Sequence, residues 1–403
     1  MTTTEASRRL GVKVETLYAY VSRGLLERHP GPDGRSSVFD SRAIEDLARR
    51  GRPRQSSRSA SLNLLIETRL TSLSAQGVRY RGLSASQLAR TQTFEQVADL
   101  LWLGALPSDH HVWSGAIAPI DRIAVSPIAL GDSIRLAAAW ATTGTSWVEC
   151  TAPADVASVG RHLIATMVDS LPFAGDGRTP RLTLPEGDGD GRPIRATIAG
   201  RLWTKLSPRR PPPGLLGVVN AALVLLADHE LAASTLAVRV AASTHAHPTA
   251  TVTAGLGALS GSLHGGASKL CRQMMDDASQ VGAPRAVTSM VASGRRIPGF
   301  GHRVYVDADP RAVVLLELLR RAAGQTRAMA MVDDVHDEVA KRIDHPPNVD
   351  FSLAALSLVA GMPADGGEAI MSIARIAGWL AHAIEEYGEA PLRFRPRASY
   401  IGR

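Results

Sequence analysis

Two histidines set among glycines, with an arginine after the second, are the residues of this chain best suited to chemistry. His264 lies within residues 263–267 (LHGGA), and His302 lies within residues 297–305 (IPGFGHRVY), nine positions before Arg311. Glycine lets the backbone approach a bound molecule closely, and histidine can act as donor, acid or base near neutral pH. Two ordinary polar turns would explain either half alone. Both halves in this order indicate a site for carbonyl chemistry.

The composition predicts that mainly α-helical elements position this stretch. Of the 403 residues, 45% are hydrophobic and 4% are aromatic, so a large core must rest on Ala, Leu, Val and Ile. Ala and Leu are strong helix formers. Residues 93–104 have apolar side chains at helical spacing, and an apolar helix at 217–227 leads into Asp228, His229 and Glu230. Residues 105–200 are rich in Ala and show no regular pattern.

Several classes of protein are excluded by what the sequence lacks. Cys150 and Cys271 are too few for a disulfide framework or a metal quartet. The glycine- and aspartate-rich run at 187–191 lacks the terminal acidic ligand of a calcium loop, so we interpret it as a solvated turn and expect no metal site. The first residues lack a signal-peptide pattern, and no apolar run reaches the roughly 20 residues that span a bilayer. We therefore expect a cytoplasmic protein.

The sequence also predicts a small basic module at the N-terminus. Residues 1–58 hold 12 Lys/Arg and 7 Asp/Glu, a net charge of +5 out of +7 for the whole chain. Helices are predicted at 4–10 and 14–23, then a hairpin around the turn at 30–34, then a third helix at 42–49. Residues 51–61, rich in Arg, Ser and Pro, predict a linker. An excess of positive charge favours an anionic partner.

Residues 4–50 resemble the winged helix-turn-helix of MerR-type regulators and phage excisionases. The resemblance implies a DNA-binding domain over residues 1–50 whose second helix enters the major groove. A module that keeps this fold without binding DNA is the alternative. The residues that would face DNA are Lys13, Glu15, Thr16, Tyr18 and Tyr20, with Arg35 on the wing near phosphate.

Residues 62–403 resemble the citrate synthase family, because several motifs occur in that family's order and spacing. The resemblance implies an all-α fold with a large domain (62–266 and 356–403) and a small domain (267–355). It also implies a homodimer that condenses acetyl-CoA with oxaloacetate without a metal or redox cofactor. The motifs are residues 78–82 (VRYRG), 228–230 (DHE) with 234–235 (ST), 263–267 (LHGGA), 298–311, 348–351 (NVDF), 374–379 (ARIAGW), and 395–397 (RPR) with Tyr400 and Gly402.

The resemblance assigns roles to the histidines and to an aspartate. It implies that Asp350 is the base for the methyl proton of acetyl-CoA, and that His264 donates to the enolate oxygen from a helix N-terminus. His302 would polarise the ketone of oxaloacetate, which His229 would also contact. Burial could raise the pKa of Asp350 toward the range a base needs.

The resemblance also assigns roles to arginines. Arg311, Arg375 and Arg395 would clamp the carboxylates of oxaloacetate, and Arg395 would come from the partner subunit. Arg295 and Arg296 are candidates for the phosphates of CoA. Taken alone, each arginine would be explained by an ordinary surface ion pair.

The chain departs from the family pattern at Ala232, Ser268, Val306 and Ser352. These departures fit an altered acyl-CoA preference or reduced activity. The sequence therefore predicts a citrate or 2-methylcitrate synthase, with acetyl-CoA or propionyl-CoA as substrate. The alternative hypothesis is a DNA-binding transcription regulator whose citrate synthase-like domain senses a metabolite.

Overall fold

A computed structural model describes most of the chain, which divides into two compact units, Met1–Glu67 and Thr68–Arg403. The residues described are 1–10, 12–22, 25–31, 36–41, 43–44, 65–74, 77–109, 112–120, 128–143, 149–174, 196–261, 264–292, 296–305, 307–396, 400 and 402.

Among its described residues, the N-terminal unit contains two short helices and a hairpin. Helix α1 is Thr3–Leu10 and helix α2 is Val14–Ser22. Strands β1 (Arg28–Pro30) and β2 (Ser37–Phe39) pair antiparallel. The two helices predicted near 4–10 and 14–23 are therefore confirmed. The buried residues of this small core are Ala6, Leu17, Tyr20, Leu26, Phe39 and Ile44.

One candidate for DNA contact in this unit is corrected by the structure. Tyr20 is only 4% exposed and packs in the small core, so its side chain is not available to an external ligand. Lys13 and Tyr18 are exposed and Thr16 is partly exposed. Arg35 lies outside the described residues, as do most of the predicted third helix at 42–49 and the predicted linker at 51–61.

The second unit is mainly helical and begins with a small antiparallel sheet. Strands β3 (Thr71–Ser74), β4 (Gly77–Tyr80) and β5 (Leu83–Ser84) pair in that order. The helices that follow are α3 (Ala85–Thr91), α4 (Phe94–Leu103), α5 (Leu130–Thr142), α6 (Pro153–Ser170), α7 (Ile198–Leu206), α8 (Leu215–Leu226), α9 (Ala233–Ala242), α10 (Pro248–Leu259), α11 (Ala267–Val281), α12 (Ala283–Ala292), α13 (Pro310–Ala323), α14 (Arg327–Ala340), α15 (Val349–Val359) and α16 (Gly366–Tyr387).

Helix α4 shows how local sequence sets the boundaries of an element. Thr93 accepts a hydrogen bond from the main-chain N–H of Gln96, and the Gln96 side chain accepts one from the Thr93 N–H, which completes a capping box. Gly104 ends the helix with a φ of 85°, a conformation that glycine adopts without strain. The helix predicted at 93–104 is confirmed, and so is the apolar helix predicted at 217–227, observed as α8.

The segment that the sequence left irregular, residues 105–200, contains helices α5 and α6 and the start of α7. Several of the Ala and Gly positions of α5 and α6 are buried together with larger apolar side chains. A helix covered on several sides loses the alternation of apolar and polar faces on which prediction depends. The run at 187–191 interpreted as a solvated turn lies outside the described residues.

Helix α16 is the centre of the second unit. It has 22 residues, 18 of them buried, and it packs against α4, α6, α8, α9 and α10. Because it is covered on most sides, a polar side chain in its middle points into the protein. Within the part of the chain that the structure describes, no helix is both long and apolar enough to cross a membrane.

Candidate active site

The loop before α13 fixes His302 and its tautomer. The ring Nδ1 of His302 accepts hydrogen bonds from the main-chain N–H groups of Val304 (3.1 Å) and Tyr305 (3.3 Å). Burial, and then the charge of Arg311, lower the pKa of His302, so the imidazole is neutral near pH 7. A neutral ring with an accepting Nδ1 carries its proton on Nε2. His302 therefore presents an N–H donor.

Arg311 lies beside that donor at the start of α13. Asp309 caps the helix by accepting from the Arg311 main-chain N–H. Its carboxylate also pairs with the guanidinium, at 3.0 Å from Nε and 2.9 Å from Nη2. The same Nη2 is 3.4 Å from His302 Nε2. Two donors therefore face each other, and an acceptor oxygen from a ligand would satisfy both.

His229, in the turn after α8, completes this cluster. Its ring is 5.4 Å from that of His302 at an interplanar angle of 85°, and its Nε2 is 3.0 Å from the Tyr305 hydroxyl. Burial, followed by the charges of Arg311 and Arg375, holds the pKa of His229 well below its usual range. The ring is therefore a neutral hydrogen-bonding group.

Arg375 enters the site from the middle of α16. It is 5% exposed, and burial lowers the pKa of its guanidinium. Its Nη1 is buried and has no hydrogen-bond partner among the described residues. A buried cationic donor without a partner is costly, so this atom marks a place for an anionic ligand group.

His264 lies directly before α11, in the turn that follows α10. Its Nε2 is 2.9 Å from the Ser234 hydroxyl at the start of α9. Burial, and then the charge of Arg375, lower the pKa of His264. The positive end of the α11 dipole also disfavours the imidazolium. His264 is thus a second neutral imidazole.

Asp350 is the second residue of α15, where Asn348 caps the helix by accepting from the Asp350 main-chain N–H at 2.9 Å. Burial raises the pKa of Asp350 to about 6, and nearby Asp309 adds to the increase. Arg311 and Arg375 oppose it. A carboxylate with this pKa is ionised at neutral pH yet basic enough to accept a proton from a weak acid.

The structure brings most of the predicted site residues together. The ring of His302 contacts that of His229 and lies within hydrogen-bonding range of Arg311. The charge of Arg375 acts on His229, His264 and Asp350, which places these groups around it. Of the remaining candidates, Arg296 and Arg395 are exposed, and Arg295 lies outside the described residues.

Four residues of the site were not predicted as site residues from the sequence: Ser234, Tyr305, Asp309 and Asn348. Two of them had a local signal, because Asp309 followed by proline and Asn348 at a helix start are typical capping residues. The other two, Ser234 and Tyr305, contact site residues that are distant in the sequence. Ser234 is 30 positions from His264 and Tyr305 is 76 positions from His229. Local spacing contains no signal for such contacts.

The second unit is mainly helical and brings neutral histidines, a basic carboxylate and buried arginines together. This combination is typical of an enzyme active site. Comparison with known proteins identifies its class. A model of the family described as "Citrate synthase, C-terminal domain" matches residues 157–397. The chain is 31% identical to "Citrate synthase" of Haloferax volcanii over 345 residues, covering 80% of this chain and 89% of that protein. It is 37% identical to "Citrate synthase 2" of Bacillus subtilis over 209 residues, 51% of this chain and 56% of that protein.

The chain therefore belongs to the citrate synthase family and is an enzyme of that family. The family acts on acetyl-CoA as a substrate and uses no cofactor. The fold is also similar to that of the citrate synthase of Thermoplasma acidophilum, solved as a ternary complex with carboxymethyl coenzyme A and oxaloacetate. That match has a TM-score of 0.67 at 24% identity, over 85% of this chain and 94% of that one.

Proposed function

We propose that the second unit condenses acetyl-CoA or propionyl-CoA with oxaloacetate, giving citrate or 2-methylcitrate and free CoA. The observation that carries this proposal is the convergence of donors whose hydrogen-bonding capacity the protein does not fill, although Arg311 Nη2 already donates one hydrogen to Asp309. His302 Nε2–H faces Arg311 Nη2 at 3.4 Å, and Arg375 Nη1 is buried without a partner among the described residues. A small dianion that contains a ketone would satisfy all of them.

In the first step Asp350 takes a proton from the carbon next to the thioester carbonyl. The raised pKa of Asp350, about 6, supports this role. His264 stabilises the enolate oxygen by donating a hydrogen bond. His264 Nε2 lies 2.9 Å from the Ser234 hydroxyl; in the tautomer that this role requires, the hydroxyl donates to Nε2, and the imidazole proton on Nδ1 is available to the enolate oxygen.

In the second step the enolate carbon attacks the ketone carbon of oxaloacetate. His302 Nε2–H polarises the ketone and gives its proton to the alkoxide oxygen as the new carbon–carbon bond forms. Arg311 and Arg375 bind the carboxylates, and His229 also contacts oxaloacetate. One edge of the Arg311 guanidinium is occupied by Asp309, so Arg311 binds its ligand through the remaining donors. Water then hydrolyses the thioester and releases CoA.

We further propose that the active site is shared between two subunits. Arg395 is exposed in the single chain, and a second copy would bring it to the oxaloacetate of its partner. Residues 267–355 would form a small domain that closes over CoA, with Arg295 and Arg296 near its phosphates. The large domain would comprise 62–266 and 356–403. Closure would keep water from the thioester until condensation is complete.

The direct test is release of free thiol from acetyl-CoA and from propionyl-CoA, each with and without oxaloacetate. We expect release only with oxaloacetate, and the ratio of the two rates identifies the preferred acyl group. The variant Asp350→Ala should remain folded and bind oxaloacetate but release no thiol. No release by folded wild-type protein with either acyl-CoA would refute the proposed reaction.

A second function is favoured by the N-terminal unit, for which we propose binding to duplex DNA. Two helices joined by a short turn and followed by an antiparallel hairpin support it, as does the net charge of +5 over residues 1–58. Lys13, Thr16 and Tyr18 are the accessible candidates on or beside α2, and Arg35, the proposed phosphate contact, lies outside the described residues.

DNA binding is tested by fluorescence anisotropy with duplexes from the region upstream of the coding sequence. We expect affinity to fall steeply with salt, because cations on the protein displace counterions from phosphate. Lys13→Gln should weaken binding, whereas Lys341→Gln, in the second unit, should not. Adding oxaloacetate shows whether the two units are coupled. Binding that is absent, or equal in wild type and Lys13→Gln, would argue against the proposal.

A further inference from the structure

Tyr305 contacts three groups of the proposed oxaloacetate site. Its ring stacks on that of His302 at 4.8 Å and 28°, and its main-chain N–H donates to His302 Nδ1 at 3.3 Å. Its hydroxyl is 3.0 Å from His229 Nε2. The Arg311 guanidinium lies 5.5 Å from the centre of its ring.

We propose that Tyr305 is a positioning residue that fixes the two imidazoles of the oxaloacetate site relative to each other. This inference rests on the proposed function of the second unit. Tyr305 holds His302 through its ring and main chain, and it holds His229 through its hydroxyl. The two histidines meet at 85° without a hydrogen bond between their rings, so Tyr305 supplies the link between them.

The chemistry of a tyrosine suits this task. Its side chain is 6% exposed, so the ring is confined by packing. Burial also raises the pKa of Tyr305 to about 12, so the hydroxyl keeps its proton at neutral pH. A phenol hydroxyl both donates and accepts, and can therefore pair with either tautomer of neutral His229. Phenylalanine would preserve the stack on His302 and lose only the link to His229.

The two contacts predict different kinetic effects. Because His229 contacts oxaloacetate in the ground state as well as in the transition state, loss of its support weakens binding and raises KM. Because His302 acts on the ketone that becomes an alkoxide, loss of its support lowers kcat. The hydroxyl and the ring of Tyr305 should therefore affect separate parameters.

The experiment compares Tyr305→Phe and Tyr305→Leu with wild type and with Tyr387→Phe. Tyr387 is a suitable control because it is also buried and its hydroxyl donates to the Ala246 carbonyl at 2.6 Å. For Tyr305→Phe we expect the KM and the Kd for oxaloacetate to rise about tenfold, with kcat within about threefold of wild type. For Tyr305→Leu we expect kcat to fall at least about tenfold as well. Tyr387→Phe should change none of these parameters by more than about twofold.

Calorimetric measurement of the Kd for oxaloacetate keeps this test separate from that of the overall reaction. Wild type that binds oxaloacetate but releases no thiol would refute the proposed reaction, while a higher Kd in Tyr305→Phe would still support the positioning role. Tyr305→Phe that behaves like Tyr387→Phe would overturn the positioning role. Wild type that does not bind oxaloacetate would overturn both the positioning role and the proposed reaction.

Discussion

Arg239 Nη1 lies 2.9 Å from Glu386 Oε2, and the two side chains are 1% and 0% exposed. The same guanidinium donates to Nδ1 of His382. Nε2 of the His382 ring is 3.4 Å from Asp228 Oδ2. Glu386 also accepts two hydrogen bonds from Arg393, both at 2.6 Å. A buried chain of polar groups thus runs from the residue before His229 to the C-terminal segment that carries the proposed partner arginine.

Breaking this ion pair should be among the most damaging single changes in the second unit. Arg239→Met removes one of the two arginines that pair with the buried carboxylate of Glu386, and breaking a buried ion pair typically costs about 3–5 kcal/mol. We expect a fall of that size in the free energy of unfolding, measured by urea denaturation followed by circular dichroism.

An exposed pair provides the matched control. Arg320 and Asp333 form an ion pair at 2.8 Å, with side chains 45% and 44% exposed. Arg320→Met should cost no more than about 1 kcal/mol, because water replaces the lost partner. Equal losses in the two variants would show that burial does not set the strength of the Arg239–Glu386 pair.

Replacement of Gly299 should disturb the proposed base, Asp350, without changing that residue. Gly299 has a φ of 82°, and a Cβ there would lie 2.8 Å from Cys271 Sγ and 3.1 Å from Phe351 Cα. Gly299→Ala would therefore both strain the backbone and push on the residue next to Asp350. We expect a loss of more than about 2 kcal/mol in stability and a fall in kcat.

Gly324→Ala separates the two effects. Its φ is 56°, but no atom lies within 4 Å of the Cβ position. This variant should lose only the cost of backbone strain, about 1–3 kcal/mol, and should keep its kcat. If both variants lose the same stability and the same turnover, steric pressure on α15 is not important.

The sequence was most informative where local rules decide the outcome. The apolar spacing over residues 93–104 predicted helix α4, whose capping box and terminal glycine set its boundaries, and the glycine-flanked histidines predicted two loops of the site. Tyr20 shows the limit: both faces of the short helix α2 carry tyrosine, and only packing decides that Tyr18 is exposed and Tyr20 buried. The contact between Tyr305 and His229 depends on how α8 and the loop before α13 meet, which follows from the packing of the whole unit.

Arg375 predicts how oxaloacetate should affect thermal stability. A ligand that binds only the folded state stabilises it by about 2.7 kcal/mol at 100 times its Kd. We expect oxaloacetate to raise the Tm of wild type, since its carboxylate would satisfy the buried Nη1. Arg375→Met should show no such increase at the same concentration, as measured by differential scanning calorimetry. Succinate, which lacks the ketone, is the control ligand and should stabilise wild type less.

A shared active site predicts complementation between two inactive variants. Asp350→Asn and Arg395→Gln should each be inactive alone. When they are co-expressed with different affinity tags, each mixed dimer has one site with both lesions and one with neither. We expect about half of wild-type activity in purified mixed dimers, provided that the dimer supplies Arg395 in trans. Activity no higher than that of either parent variant would place Arg395 outside the partner's site.

Asp350 predicts opposite pH dependences for activity and stability. Its pKa in the folded protein is about 6, above the ordinary value of 3.8, because burial favours the neutral acid. The carboxylate must be ionised to act as base, so kcat/KM should fall about tenfold per pH unit below pH 6. Folding instead favours the protonated form, so its contribution to stability is present at low pH and is lost as pH rises through about 6.

The variant Asp350→Asn tests both consequences, because it removes the charge and keeps the size of the side chain. At about pH 8 its free energy of unfolding, measured with urea, should be higher than that of wild type. The difference should be less than about 3 kcal/mol, because the side chain is partly exposed. The advantage should shrink as pH is lowered toward about 5, where wild type regains the proton. Asp333→Asn, at an exposed position, should show no such trend. A variant that loses turnover without gaining stability at high pH would mean that burial does not raise the pKa of Asp350, and the base would then have to be sought elsewhere.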